Sequence, residues 1–304
     1  MGVSRSNTCL VGKTVLITGG NSGIGFETAL ALAGRGARIV IADKNDATES
    51  IRKIAEETSN KNITYKHLDL SSLTSVRKFA KEINKEEPRL DILINNAGAS
   101  GLGDQLTEDG LQIGMQVNHF GPFLLTHLLI DLLKKSAPSR IIFVSSLCAF
   151  FNNLKIENLN SKTRMIFDVC AESWLYGNTK LMNVITAKIL GDKLGEFGVT
   201  TYSLHPGVVN TPIYRNFSGE NALYLWKFFL YTILLPLYGK TPREGAQTTI
   251  ECALSKEFGK QTGKYYMDCR PFLLPWEVAD KKFCAELWRK SEELVQLQES
   301  EKIL

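Results

Sequence analysis

The sequence predicts a doubly wound α/β domain, in which a parallel sheet of about seven strands is covered by helices on both faces. Two observations along the 304 residues predict it. Short runs rich in β-branched residues alternate with segments of helical periodicity, and most of these runs are apolar at every position, as in strands covered on both faces. A glycine-rich turn also joins the first run to a helical segment, which is typical of α/β folds that bind phosphate groups.

Seven runs are expected to form the strands. They are Thr14–Thr18, Arg38–Ala42, Ile63–His67, Leu90–Ile94, Arg140–Ser145, Thr201–His205 and Lys264–Met267. Apolar residues at helical spacing predict a helix over Ser72–Ile83. A second helix is expected at about 242–254, because Thr241-Pro242-Arg243-Glu244 combines an N-cap threonine, a first-turn proline and a capping-box glutamate. The charged, amphipathic segment Trp276–Leu297 is expected to pack on the edge of the domain.

Composition excludes several classes of protein. A hydrophobic fraction of 44% supports a folded core and excludes a disordered or fibrous chain. The net charge of only +4, with acids and bases mixed along the chain, argues against nucleic acid as a partner. The six cysteines and four histidines show no metal-ligand spacing, so reduced thiols, structural histidines and no metal are expected. Neither a secretory leader nor a membrane-spanning segment is expected, since the longest uncharged apolar run, Phe228–Tyr238, is too short.

The glycine-rich turn, Thr18–Gly25, lies between the first strand run and a helical segment. Glycines there allow a tight turn and a close approach of the backbone to a pyrophosphate, which the N-terminus of the following helix attracts. A glycine-rich turn by itself is often only a loop, but its place between strand and helix favours a phosphate site. In the helix, Phe26, Ala29, Leu30 and Ala33 are expected to form one apolar stripe.

The end of the second strand run bears on the choice of cofactor. Asp43 lies 18 residues beyond Gly25, where an acidic side chain can bind the adenosine ribose 2′-hydroxyl and would repel a 2′-phosphate. Asp43 therefore favours NAD. The neighbouring Lys44 could instead pair with the 2′-phosphate of NADP. The alternative interpretation is that Asp43 only begins a turn.

Candidate catalytic groups converge on one edge of the predicted sheet. Tyr176 and Lys180 have i, i+4 spacing, which places both on one helix face, and an ammonium beside a phenol makes tyrosine a usable general acid or base. Such a pair alone is usually a solvated helix face. Here, however, Ser145-Ser146 follow the fifth strand run, Asn95–Gly98 closes the fourth, and Asn118 lies between them. The carboxyl ends of parallel strands are where open α/β sheets bind ligands.

With these motifs the chain resembles the classical short-chain dehydrogenases/reductases, a family of Rossmann-like fold. The matching features are the turn at Thr18–Gly25, Asp69 after the third strand, Asn95–Gly98, Asn118, Ser146, Tyr176 with Lys180, and Pro206-Gly207. Within the family it is most similar to the retinol dehydrogenases numbered eleven to fourteen. The segments that carry this closer likeness are 117–126, 205–209, 242–248 and 263–269.

The resemblance implies a role for each candidate side chain. Tyr176 would deliver or remove the hydroxyl proton, and Ser146 would hydrogen-bond the substrate oxygen. Lys180 would bind the nicotinamide ribose and tune Tyr176, while Asn118 would hold a water that links Lys180 to solvent. The residues expected to bind the cofactor are Gly19, Asn21, Ser22, Gly23, Ile24, Gly25, Asp43, Lys44, Asp69, Leu70, Asn95, Ala97, Gly98, Tyr176, Lys180, Pro206, Gly207, Val208 and Thr211. Among them, Asp69 and Leu70 would line the adenine, Asn95 and Ala97 the adenosine side, and Thr211 the carboxamide.

The resemblance also has departures. The similar retinol dehydrogenases typically carry a basic residue where Asp43 stands and prefer NADP, so an NAD preference here would favour alcohol oxidation in a cell. The interval from Ser146 to Tyr176 is longer than usual and is expected to reshape the substrate entrance. The expected organisation is a tail over 1–12, one NAD(P)-binding domain over 13–270 with a substrate lid at about 212–241, and a helical extension over 271–304.

Contact with a membrane surface is a further expectation. The N-terminus, Met1-Gly2-Val3-Ser4-Arg5-Ser6, satisfies the pattern for N-myristoylation, and Cys9 is available for a second acyl group. The aromatic segment Ala222–Tyr231 could add apolar contact. A cytoplasmic protein with peripheral membrane association is therefore expected, and the family commonly forms homodimers.

Taken together, the sequence predicts an NAD(P)-dependent oxidoreductase acting on CH–OH groups, which interconverts a lipophilic alcohol and its aldehyde or ketone. A retinoid is the first choice of substrate, with a steroid, farnesol or another carbonyl compound next. Two alternatives of another class stay open: a dinucleotide-binding sensor or scaffold without chemistry, and a peripheral protein that organises lipid surfaces. The complete set of Asn118, Ser146, Tyr176 and Lys180 favours the enzyme.

Overall fold

A computed structural model describes residues 2–161, 168–210 and 239–303, with only the backbone described for 168–172. It contains an eight-stranded sheet in the order β3-β2-β1-β4-β5-β6-β7-β8. The first seven strands pair in parallel and β8 pairs with β7 in the antiparallel sense. The strands are β1 (Thr14–Thr18), β2 (Arg38–Asp43), β3 (Ile63–His67), β4 (Ile92–Asn95), β5 (Ser139–Val144), β6 (Val199–His205), β7 (Lys264–Met267) and β8 (Arg270–Phe272). The predicted doubly wound fold is confirmed.

Several strands differ from the sequence expectation. β3 is an edge strand whose residues are half-buried or exposed, so it is not apolar on both faces. β8 is an additional strand of three exposed residues, reached through a turn in which Asp268 and Cys269 have positive φ angles. The start of β4 also shifts by two residues, because the Asp91 carboxylate accepts the backbone N–H of Thr14 (2.9 Å) before the ladder begins.

Helices cover both faces of the sheet. They are α1 (Gly23–Ala33), α2 (Thr48–Thr58), α3 (Leu73–Glu86), α4 (Ile113–Met115), α5 (Gly121–Leu128), α6 (Ile130–Lys135), α7 (Asp168–Leu194), α8 (Pro242–Leu254) and α9 (Lys281–Leu294). One π-helical turn, Gln116–Phe120, connects α4 to α5. Helices α1, α2 and α8 pack on one face of the sheet, and α3, α5, α6, α7 and α9 pack on the other. Because each inner strand presents alternate side chains to these two layers, both of its faces are apolar.

The predicted stripe of α1 is partly wrong. Ala29 and Ala33 are buried as expected, but Leu32 completes the buried face, while Phe26 and Leu30 are only half-buried against it. The capping box of α8 is confirmed, since Thr241 Oγ1 accepts the N–H of Glu244 (3.2 Å) and Glu244 Oε2 accepts that of Thr241 (2.8 Å).

Both terminal segments are tied to the sheet-and-helix core. Ser4 and Ser6 donate their hydroxyls to the carboxylate of Glu251 in α8, at 2.7 and 2.9 Å. Near the other end, Arg77 of α3 pairs with Glu301 at 2.5 Å. The division into tail, domain and extension stays a prediction. Within the described parts of the chain, no helix is both long and apolar enough to cross a membrane.

Candidate active site

The turn between β1 and α1 is shaped by two glycines. Gly19 has a φ of +66°, and a Cβ on Gly25 would lie 2.1 Å from the carbonyl oxygen of Gly19. No side chain fits at Gly25, so α1 begins directly against the carbonyl of Gly19. The side-chain amide of Asn96 fixes this turn by donating to the carbonyls of Thr18 and Gly19, at 2.9 and 3.1 Å.

A cleft of ≈ 520 Å³ opens above this turn at the carboxyl edge of the sheet. Of the predicted cofactor-binding residues, eleven line it: Gly19, Ser22, Gly23, Ile24, Gly25, Asp43, Lys44, Asp69, Leu70, Ala97 and Gly98. The N-terminus of α1 opens into the same cleft, and Ser22 makes no side-chain cap to it. The first-turn N–H groups of α1 are therefore available to an anion.

Asn21 and Asn95 are two of the predicted cofactor-binding residues that do not line the cleft. Asn21 turns its amide to the carbonyl of Asp46 (2.9 Å) and accepts a hydrogen bond from Ser50 (2.6 Å), which anchors the turn to α2. Asn95 is only 3% exposed, and its amide donates to Thr126 (3.0 Å) on the far side of the sheet. The expectation that Asn95 lines the adenosine side is not met, because strand alternation points it into the core and brings Asn96 to the cleft.

Asp43 both begins a turn and lines the cleft, and its contact with a ribose stays a prediction. Its carboxylate accepts the backbone N–H of Asn45 (3.0 Å), which begins a turn, and it also faces the cleft. Lys44 is paired with Asp69 at 2.8 Å. Burial raises the pKa of the Asp69 carboxyl, but hydrogen bonds from Lys44 and Ser71 outweigh burial and the net pKa is lowered. The cation nearest to Asp43 in sequence is thus engaged by another carboxylate.

The tyrosine and lysine stand on one face of α7, as predicted. Lys180 Nζ lies 5.3 Å from the centroid of the Tyr176 ring and donates to the carbonyl of Val144 at 3.0 Å. Burial lowers the pKa of Lys180 to about 8, against a smaller opposing influence of Cys148. At neutral pH the lysine therefore holds a proton close to the phenol. Tyr176 lines a small cavity that shares Ala99 with the large cleft.

Ser146 is held beside α7 by several contacts around it. The preceding Ser145 donates to the carbonyl of Lys180 (2.7 Å), which joins β5 to α7. Gly177 permits the close approach, since a Cβ there would lie 2.7 Å from the carbonyl oxygen of Cys148. The Oγ atom of Ser146 accepts the N–H of Cys148 (3.2 Å), and the hydroxyl proton stays free to point elsewhere.

The side chain of Asn118 makes a paired contact with the loop after β4. Its Oδ1 accepts the N–H of Ala99 and its Nδ2 donates to the carbonyl of the same residue, both at 2.8 Å. Gly98 packs between this amide and the lysine, because a Cβ on it would lie 3.3 Å from Asn118 Oδ1 and 3.1 Å from Lys180 Nζ. Asn118 and Lys180 therefore flank one short stretch of backbone at the end of the cleft.

The turn after β6 stands at the opposite side of the site. Lys240 fixes Pro206–Val208 by donating from Nζ to the carbonyl of Pro206 (3.3 Å) and from its backbone N–H to that of Val208 (2.8 Å). Gly207 has a φ of +99°, and the Lys240 side chain occupies the space next to it. Lys240 also pairs with Asp268 at 2.6 Å. Thr211 and nearly all of the expected lid, 212–241, lie outside the described residues.

One positioning side chain was missed by the sequence interpretation. His205 was expected to be structural, but its Nδ1 accepts the N–H of Leu147 (3.2 Å) and so joins the end of β6 to the turn after Ser146. Burial lowers the pKa of His205 to about 4, and the charge of Lys240 adds to the effect. The available signal was its place at a strand's carboxyl end, directly before Pro206.

Comparison with known proteins identifies the constellation. The family model described as short chain dehydrogenase matches residues 13–158. Human retinol dehydrogenase 12 is 40% identical over 296 residues, which cover 97% of this chain and 90% of that protein. The chain belongs to the short-chain dehydrogenase/reductase family. Human retinol dehydrogenase 13 is similar at 39% identity, covering 98% of this chain and 88% of its own length. This short-chain dehydrogenase/reductase is an NAD(P)-dependent oxidoreductase acting on CH–OH groups.

Solved structures agree with this fold. An uncharacterized protein from Mycobacterium paratuberculosis superimposes with a TM-score of 0.73 at 27% identity, covering 97% of this chain and 98% of its own. The Pseudomonas aeruginosa RhlG/NADP active-site complex gives a TM-score of 0.63 at 25% identity, covering 84% and 94%.

The described residues fit a nicotinamide dinucleotide. The turn over Gly19–Gly25 offers backbone groups to a pyrophosphate. The cleft extends from this turn to Asp43. When bound, the cofactor accepts or supplies the hydride. The resemblance implies that the phenol of Tyr176 would hold or release the proton on the substrate oxygen and that Ser146 would hydrogen-bond the same oxygen. In that arrangement two hydroxyl donors and the buried ammonium of Lys180 would stabilise negative charge on the oxygen.

Proposed function

We propose that this enzyme interconverts a lipophilic primary alcohol and its aldehyde, with a retinoid as the first choice of substrate. The observation that carries the proposal is the likeness to retinol dehydrogenases 12 and 13 over 97–98% of this chain, together with the tyrosine, lysine, serine and asparagine described above. The same family chemistry would apply to a steroid, farnesol or another carbonyl compound, which are the next candidates.

Partly exposed aromatic side chains in the turn after Ser146 support an apolar substrate. Phe150 lies in the turn that follows the serine, and its ring meets those of Tyr265 and Phe272 edge to face, at 6.0 and 6.1 Å between centroids. Phe151 is 71% exposed next to this group. Aromatic side chains bind apolar ligands through their large contact area.

The test of the proposal is turnover of all-trans-retinal, farnesal and a ketosteroid by the purified enzyme with NADH or NADPH. With the preferred substrate, Tyr176→Phe should lower kcat at least about 100-fold, because the proton donor is removed, while NADH binding followed by fluorescence stays within about twofold. Tyr65→Phe, on the edge strand β3, serves as the control and should keep full activity.

The outcomes separate the candidates. Turnover of the steroid or farnesal but not of retinal would refute the retinoid choice and leave the enzyme class intact. Cofactor binding without turnover of any of the three would favour the sensor or scaffold alternative, and an unimpaired Tyr176→Phe variant would remove tyrosine from the mechanism.

We further propose that the enzyme prefers NAD. Support comes from the Asp43 carboxylate at the cleft, where a 2′-phosphate would be repelled, and from the engagement of Lys44 by Asp69. An NAD preference would favour oxidation of the alcohol in a cell.

The preference can be tested by Asp43→Ala. Removing the carboxylate should raise the ratio of kcat/KM for NADP over NAD about tenfold, as expected for the loss of one charged hydrogen bond and one repulsion. Asp46→Ala, which removes a neighbouring charge outside the cleft, should leave the ratio unchanged. An unchanged ratio in Asp43→Ala would refute the assignment.

Finally, we propose a cytoplasmic protein that binds membranes peripherally through an acyl group on Gly2, with Cys9 as a second acylation site. The N-terminal pattern supports this, and Cys9 is exposed. Labelling with an alkynyl myristate, with Gly2→Ala as the control, tests it; equal labelling of both forms, or none of either, contradicts it.

A further inference from the structure

A chain of buried hydrogen bonds runs from the C-terminal helix to Asn118. The amide Nδ2 of Asn183 donates to the backbone carbonyl of Asn118 at 3.0 Å. The Oδ1 of Asn183 lies 3.1 Å from Nδ1 of His119, and Nε2 of His119 lies 3.3 Å from the hydroxyl of Ser291 in α9. Ser291, His119 and Asn183 are 0%, 1% and 3% exposed.

The local sequence removes the usual α-helical hydrogen-bond partner of the Asn118 carbonyl. Four residues further on, where an α-helix would supply the donating N–H, stands Pro122, which has none. The π-helical turn over Gln116–Phe120 widens the helix at this point. Asn183, three residues after Lys180 on α7, supplies a donor in place of the missing one.

The direction of every hydrogen bond in the chain follows from that carbonyl. Because a carbonyl only accepts, the group of Asn183 that faces Asn118 must be the amide nitrogen, which places Oδ1 toward His119. His119 must then carry its proton on Nδ1. Its Nε2 is left as an acceptor for the Ser291 hydroxyl. Burial lowers the pKa of His119 to about 4, which agrees with the neutral ring that this arrangement requires.

We propose that Asn183, His119 and Ser291 are positioning residues for the proton-transfer end of the active site, and that α9 is thereby part of the catalytic structure. They act through Asn118, whose carbonyl they orient and whose side chain holds Ala99. The proposal rests on the placing of Asn118 in the site. It does not depend on which alcohol is the substrate.

Ser291→Ala is the mildest variant, because it removes only one hydroxyl group from the hydrogen-bond chain. Helix α9 stays docked, because Leu287 and Trp288 remain buried and Trp288 still packs on Phe123 with 5.0 Å between ring centroids. Its matched control is Ser139→Ala, which removes an equally buried hydroxyl at the amino end of β5, away from the site. We expect Ser291→Ala to lower kcat about threefold while the KM for NADH is unchanged, and the control to change neither.

Variants with larger expected effects test the middle of the hydrogen-bond chain, at Asn183 and His119. Asn183→Leu removes the donor to Asn118 and should lower kcat about tenfold, again with NADH affinity unchanged. At position 119, an asparagine places an amide nitrogen where Nδ1 stood, so His119→Asn should retain more activity than His119→Leu. A merely structural role would lower the melting temperature without separating kcat from KM and without this rescue.

Three results would overturn the proposal. They are kcat within twofold of wild type in folded Asn183→Leu, equal impairment of the two His119 variants, and equal effects of Ser291→Ala and its control. If retinal and the other candidate substrates are not turned over, ¹⁵N NMR of the histidine rings decides. The proposal requires the Nδ1–H tautomer for His119, and an Nε2–H tautomer would refute it whatever the substrate.

Discussion

The two ends of the cleft are built by different means. At the dinucleotide end the backbone does most of the binding: glycines without side chains, an uncapped helix N-terminus and a few exposed charges such as Lys44. At the catalytic end, buried side chains hold one another through hydrogen bonds, with Lys180 and Asn118 each 2% exposed. At the dinucleotide end there is little space for an added side chain on the glycines. At the catalytic end the loss of one hydrogen-bond partner leaves a buried polar group unsatisfied.

This difference determines which substitutions disturb each end of the cleft. A backbone cradle is insensitive to most changes of side chain around it and sensitive to any new Cβ. A buried polar network is sensitive to the loss of a single partner, because the remaining group stays desolvated. The comparison can be tested with one substitution at each end of the cleft. A third substitution, at Lys44, compares an exposed lysine of the dinucleotide end with the buried Lys180.

The largest effect is expected for Gly25→Ala. Its Cβ would lie 2.1 Å from the carbonyl oxygen of Gly19, so the turn must shift, with a cost of about 3 kcal/mol in the free energy of unfolding and a loss of NADH affinity of at least about tenfold. Gly34→Ala is the matched control in the same helix region, since its nearest neighbour would be 3.5 Å away and its φ is −63°. That control should be neutral or slightly stabilising. Equal behaviour of the two variants in urea melts would contradict the cradle.

At the catalytic end, Lys180→Met should remove turnover and yet stabilise the fold near neutral pH. The folded-state pKa of Lys180 is lowered to about 8 from 10.5, so below pH 8 the protein bears the full cost of a buried ammonium. As pH rises from 8 toward 10.5 the folded protein loses this proton before the unfolded chain does, and the wild type gains stability relative to the variant. We expect an advantage of about 2 kcal/mol for Lys180→Met at pH 7 that shrinks by pH 9.5, measured by urea unfolding. An advantage that is constant or grows with pH would contradict the burial argument.

The smallest effect is expected for Lys44→Gln at the dinucleotide end. The Lys44 side chain is 64% exposed, and pairs of this kind contribute no more than about 0.5 kcal/mol. Unfolding should therefore be nearly unchanged between pH 7 and 9.5, in contrast with Lys180→Met. A loss above about 1 kcal/mol would show that the Lys44–Asp69 pair is more than a surface contact.

The sequence was informative where function depends on neighbours along the chain. The glycine turn, Asp43 at the end of β2, and the i, i+4 spacing of Tyr176 and Lys180 are local patterns with a direct physical meaning. Asn95 was misplaced because its orientation depends on the exact residue at which the strand's alternation begins. Asn95 turns into the core and Asn96 faces the cleft.

Long-range contacts carried no such signal. No sequence pattern predicts that Ser291 hydrogen-bonds to His119, 172 positions away, or that His205 hydrogen-bonds to Leu147. Strand β8 was missed because three exposed residues with a central proline show no strand pattern. Asn183 is the exception, since its spacing of three from Lys180 placed it close to the site and a buried helix face could have been inferred.

The short antiparallel β8 also bears on how copies of this protein behave at high concentration. Sheets grow between molecules when an edge offers a long row of free backbone N–H and C=O groups. Strand β8 is three residues long, and its central residue, Pro271, has no N–H to offer. On this side the sheet thus terminates in a strand that is a poor template for another, which disfavours sheet growth between molecules through this edge.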